Sequence, residues 1–118
     1  MKPSFSTERL DRILADRGLQ IEKERQSLLH KTLNWLDKFG SNYGISKAYI
    51  FGSLTQPKRF NRQSDIDIAV EQINPDDYFS VISFMFEAMG REVDVIEINK
   101  CHFANQIRQT GIVWTAKN

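Results

Sequence analysis

Two aspartates separated by a single residue, Asp65 and Asp67, open the segment DIDIAVE (65–71). Its strict alternation predicts a half-buried strand with Ile66, Ile68 and Val70 on one face and Asp65, Asp67 and Ala69 on the other. Side chains two apart on a strand point to the same side, with Cα atoms roughly 6.5 to 7 Å apart, so the two carboxylates stand side by side. Like charges at that spacing repel unless they share a cation. Oxygen-only ligands suit magnesium, which takes one or two carboxylates and completes its shell with water and substrate phosphates. A pair of this kind also occurs on ordinary solvated strand faces, so its neighbours decide what it means.

Three neighbours favour chemistry. Gly52 and Ser53 follow the apolar run ISKAYIF (45–51), where a missing Cβ lets backbone N–H groups approach a phosphate and a hydroxyl can donate beside them. The loop that follows carries Lys58, Arg59 and Arg62 and no acid. Asp94 interrupts the apolar strand EVDVIEI (92–98), where a charge is costly unless it is paired or bound to a metal. If that strand lies beside 65–71, a third carboxylate joins the first two.

The elements that must position these residues are legible from periodicity. Ser4 and Ser6 offer N-caps to a first short helix through Leu10, Ile13 and Leu14 that Gly18 is expected to stop. A second, longer amphipathic helix runs from Ile21 through Leu28, Leu29, Leu33, Leu36 and Phe39 to Gly40. After the two strands, Asn74 and Pro75 start a helix with Asp76 and Asp77 in its first turn, so apolar from Phe79 to Met89 that it is expected to be mostly covered. Lys100 to Gln109 reads as a short helix and Ile112 to Thr115 as a last strand. The order predicts an α+β fold, a small mixed sheet with helices packed on one face, preceded by two N-terminal helices. At 118 residues the chain is expected to be one domain, with a helical part over 1–44 and the catalytic sheet and helices over 45–118.

Composition excludes other classes. No stretch approaches the apolar length of a membrane span, and the first ten residues lack the order of a secretory signal, so a cytoplasmic location is expected. The net charge of +1 argues against strong direct nucleic-acid binding. That average hides a pattern, since from Asp65 to Ile98 nine acids face one base, Arg91. The single cysteine, Cys101, reads as a partly buried thiol, and His102 as a surface or capping residue. Trp35, Tyr43, Tyr49 and Trp114 read as core or interface aromatics rather than base-stacking groups. Arg25 and His30 reproduce a loose Arg-x4-His spacing known from HEPN ribonucleases, but the β-rich remainder is wrong for an all-helical bundle.

With these residues in place, the chain resembles the minimal nucleotidyltransferases of the DNA polymerase β superfamily over Ile45 to Val113. The hallmark is a strand ending in Gly-Ser, a gap of about ten residues, Asp-x-Asp on the next strand and a third aspartate later. Here these are Gly52, Ser53, Asp65, Asp67 and Asp94. The resemblance implies a polymerase β-like fold and in-line transfer of AMP from ATP to a hydroxyl, with Mg2+, as two ions, held by Asp65, Asp67 and Asp94. Asp94 is then also the acceptor of the attacking hydroxyl's proton, and Gly52 and Ser53 hold phosphates.

Family members of this size resemble antitoxins paired with HEPN toxins, which implies a tyrosine of such a toxin as acceptor. The same resemblance leaves open a catalytically silent antitoxin acting by binding alone, and an antibiotic-modifying transferase. The chain departs from the pattern after Gly-Ser, where Leu54-Thr55-Gln56-Pro57 replaces the usual Arg-Ala-Arg-Gly, and in a gap one residue longer. Arg59 and Arg62, with Lys58, are the expected substitutes as nucleotide-binding cations.

Overall fold

The structure, a computed structural model, describes residues 7–117. The expected caps Ser4 and Ser6 lie outside that range. The chain runs α1 (Thr7–Phe39), β1 (Lys47–Phe51), β2 (Ile66–Val70), α2 (Tyr78–Met89), β3 (Val93–Glu97), α3 (Ala104–Thr110) and β4 (Ile112–Thr115), with single 3-10 turns at Gly40–Tyr43, Gly52–Thr55, Pro75–Asp77 and Ile98–Lys100. The four strands form one mixed sheet in the order β3-β2-β1-β4. The β1–β2 and β1–β4 pairs are antiparallel, and β2 and β3 are parallel.

The expected break at Gly18 does not occur: one helix replaces the two predicted. A lone glycine costs an exposed helix only about 1 kcal/mol relative to alanine. To end the helix, Gly18 would have to turn left-handed, and the glycines that do so are Gly44, Gly52 and Gly90. Beyond Gly18 the next turns are tied by Glu22, which accepts from Arg25 three residues on and from Gln26 four residues on. Nothing after Gly18 opposes propagation.

Alternation sorts the sheet into two faces. Ile66, Ile68 and Val70 of β2 join Ala48 and Ile50 of β1 and Val93 and Val95 of β3 in the main core, under Leu28, Trp35 and Leu36 of α1 and Val81, Met85 and Met89 of α2. Thr32 is fully buried there, with its hydroxyl donating to the Leu28 carbonyl at 2.8 Å. The end of α1 is stitched to β4, where the Trp114 indole N–H donates to Asp37 Oδ1 at 2.7 Å. Trp35, Tyr49 and Trp114 are core residues, as their sequence context predicts.

Two further expectations need correction. Helices do not cover one face only: α1 and α2 share a face, but α3 sits on the other, where Ile107 packs with Tyr49, Ala69 and Ile98. A four-stranded sheet whose second face carries a tyrosine, an alanine and isoleucines needs some cover, and α3 supplies it over part of the strands. Nor is α2 mostly covered. A helix can aim only one stripe at a sheet, so Val81, Met85 and Met89 are buried while Phe79, Phe84 and Phe86 remain exposed.

The first fourteen described residues, 7–20, are all exposed, including Leu10, Ile13, Leu14 and Leu19. α1 therefore packs by its second half and projects by its first. No helix among the described residues is long and apolar enough to cross a membrane.

Candidate functional site

The predicted acids meet where three strands come level. In the ladder Phe51 lies opposite Asp67 and Asp67 lies beside Asp94. Neighbouring strands lie about 4.8 Å apart, so the end of β1 and the two aspartates form a row across the sheet. The side chain of Asp67 belongs to the face that α3 leaves open at this end. Asp65 precedes the first residue of β2 and flanks the row.

Gly52 turns the chain out of β1 with φ +75°, a conformation that side chains rarely adopt. A Cβ at this position would run into Asp67 Oδ2, so the backbone of the turn lies directly against the carboxylate. The glycine at 52 is thus explained twice, by backbone angle and by close approach. Ser53 is partly exposed at the same turn.

Electrostatics single out Asp67. Burial first, and then the charges of Asp94 and Asp65, push its carboxyl up from an ordinary value of 3.8 to about 6. The ion pairs among the described residues include none of the three aspartates. Glu71, the residue after β2, provides the contrast. Arg108 Nε and Nη2 donate to its two oxygens at 3.1 and 2.9 Å, and the Tyr49 hydroxyl donates at 2.9 Å. The Arg108 hydrogen bonds pull its carboxyl below the usual range. Glu71 is satisfied internally, and Asp67 is left without an ion-pair partner among the described residues.

That donor set fits a hard divalent cation. Among the described residues no three acidic, histidine or cysteine side chains close on one point as a metal cage. Asp67 and Asp94, flanked by Asp65, instead offer an open platform of the kind magnesium shares with water and phosphate oxygens.

The expected phosphate cations Arg59 and Arg62 have protein partners. Arg62 reaches back to α1, donating to both oxygens of Glu24 at 3.1 and 3.2 Å, and the Arg59 side chain donates to Gln56 Oε1 at 3.5 Å. Lys58 is exposed. The basic loop is nevertheless anchored. Phe60 is buried, Arg91 stacks on its ring with the guanidinium carbon 5.2 Å from the centroid, and Arg91 Nη1 donates to the carbonyls of Asn61 and Ser64 at 3.1 and 2.9 Å.

A residue that sequence reasoning passed over takes a central place. Arg25 of α1 donates from Nη1 to the Leu54 carbonyl at 3.0 Å, inside the Gly52–Thr55 turn. Its other donors grip Glu22 at 2.7 and 2.8 Å. In the sequence Arg25 shows only the helical spacing to Glu22 and the chance spacing to His30, which is exposed. No local signal announces a contact twenty-nine residues away. His102 is exposed, its ring edge-on to Phe103 at 5.0 Å, and Cys101 is a partly buried free thiol, as expected.

Fold and site together define a nucleotidyltransferase of the polymerase β type. The family "Polymerase beta, Nucleotidyltransferase" matches residues 34–118, and the chain belongs to it. A solved structure described as a toxin-antitoxin with AMP-PNP shares the fold with TM-score 0.58 and 23% identity, over 70% of this chain and 73% of that one. No curated protein matches the chain.

Proposed function

We propose that the chain is a magnesium-dependent nucleotidyltransferase that moves AMP from ATP to a hydroxyl, the acceptor being a tyrosine of a HEPN-type toxin that it neutralises as an antitoxin in the cytoplasm. The observation that carries the reading is the row formed by Gly52, Asp67 and Asp94 across adjacent strands, with Asp65 beside it. Family membership supports transfer of a nucleotidyl group. The toxin-antitoxin neighbour with AMP-PNP supports the adenine nucleotide and the partner.

In this reading Gly52 and Ser53 hold the β- and γ-phosphates through backbone N–H groups and the serine hydroxyl. Asp65, Asp67 and Asp94 would hold magnesium, which when bound neutralises charge on the attacking and leaving oxygens. The acceptor oxygen attacks the α-phosphorus, a new P–O bond forms, and the bond to the β-phosphate breaks to release pyrophosphate. Asp94, on the edge strand, takes the proton of the attacking hydroxyl. Arg59 and Arg62 join the phosphates only by leaving Gln56 and Glu24, exposed contacts that cost little to break.

The test is label transfer. With α-phosphate-labelled ATP, magnesium and the partner present, label is expected on the partner and is lost with Asp67→Asn. Label that never leaves ATP while the partner is still inhibited points to action by binding alone. Label on an aminoglycoside rather than a protein points to an antibiotic-modifying transferase.

A further inference from the structure

We propose that Arg25 is a positioning residue for the phosphate-binding turn, so that α1 sets the affinity of the site for triphosphate. The inference rests on the function proposed above and adds to it a residue that lies outside the family match, which begins at residue 34.

Three consecutive carbonyls of the turn are each held by a different donor. The Thr55 hydroxyl donates to Gly52 O at 2.8 Å, the Gln56 N–H donates to Ser53 O at 3.0 Å, and Arg25 donates to Leu54 O at 3.0 Å. In a helical turn, N–H groups point opposite to carbonyls, so pinning the carbonyls orients the amides that a phosphate would meet. Two of these bonds are local and follow the turn wherever it goes. Of the three, the Arg25 bond is the one that ties the turn to another element. The Leu54 side chain is fully buried, so the turn is fixed on both sides, by packing and by a charge-assisted hydrogen bond.

The arginine itself is well placed to act as a brace. Its side chain is 11% exposed, and its fork is held by both oxygens of Glu22, whose carboxyl the pairing lowers to about 2. A guanidinium can hold a carboxylate with two donors while a third reaches a carbonyl, which lysine cannot match. The chain lacks the arginines that usually follow Gly-Ser, and Leu54-Thr55-Gln56-Pro57 stands there instead. Arg25 is held to Glu22 and Leu54 through Nε, Nη1 and Nη2, so its role in this proposal is to position the turn and not to replace them as a phosphate ligand. It braces the turn from α1.

The experiment measures binding of ATP and of inorganic tripolyphosphate, each with magnesium, by calorimetry on the full chain. Arg25→Ala is expected to weaken both ligands to a similar extent, about tenfold, because the effect acts on phosphates and not on the base. Arg25→Lys is expected to recover part of the loss. In a double-mutant cycle with Ser53→Ala the two losses should not add, since both act through one turn. Faster amide exchange confined to Gly52–Thr55, at a melting temperature close to that of the wild type, would separate loosening of the turn from global damage. If the wild type binds ATP and Arg25→Ala binds it as tightly, the brace is overturned and the proposed function stands. Full additivity with Ser53→Ala also overturns it. If the wild type binds neither ligand, the proposed function fails first and the brace with it.

Discussion

At the scale of the residue, the site carries its own destabilisation. Burial and two neighbouring aspartates raise the Asp67 carboxyl to about 6, so the folded protein keeps that proton to higher pH than the unfolded chain does. The stability it contributes is full below the ordinary value of 3.8 and is lost as pH rises through about 6. Asp67→Asn is therefore expected to stabilise the metal-free protein above pH 6. The gain should be about 1 kcal/mol once the partly exposed carboxylate is discounted for solvent screening. It should vanish below pH 4, where the wild-type carboxyl is protonated in both states. Thermal melts in chelator across that range check this, and a destabilised Asn variant at pH 7 would contradict the assignment of Asp67 as the strained member of the three. The same substitution is expected to abolish transfer, the trade of stability for function found where catalysis needs uncompensated charge.

At the scale of the element, α1 is continuous where a break was expected. The residues around Gly18 are exposed, and a Cβ built there meets nothing within 4 Å. Gly18→Ala is accordingly expected to stabilise α1 by about 0.5 to 1 kcal/mol, read as increased helicity by far-ultraviolet circular dichroism and slower exchange over residues 7–20. An unchanged spectrum would mean that the projecting half is not helical in solution. The strands were more legible than the helices. Alternation in 65–71 and the β-formers of 92–98 located β2 and β3 to within a residue or two, because a period of two admits little ambiguity once one face is buried. Helix ends depend on whether one weak breaker outweighs the turns on either side, and at Gly18 it does not.

At the scale of the whole molecule, the projecting half of α1 makes the protein elongated, with principal extents of 68 × 29 × 24 Å and a radius of gyration of 17.9 Å. A compact chain of this length would have a radius near 13 to 14 Å, roughly 2.2·N^0.38. Small-angle scattering of the monomer is expected to give a value close to 18 Å. A result near 14 Å would show that the first turns of α1 fold back onto the body. The second half of α1 is integral to the core through Leu28, Trp35 and Leu36, so the helix links its own exposed half to the site through Arg25.

The sequence alone determined the chemistry available: which acids, at which spacing, after which turn. Those features are local, since side-chain alternation and the needs of a tight turn are written within a few residues of one another. It also specified the sheet's apolar face, and with it the mixed α+β class. Only the tertiary structure decided which groups meet. The parallel pairing of β2 with β3 set Asp94 beside Asp67, and packing sent Arg62 to Glu24 and Arg25 to Leu54. Long charged side chains choose partners among whatever the fold brings within reach, and that choice depends on contacts up to dozens of residues apart, which no local pattern encodes.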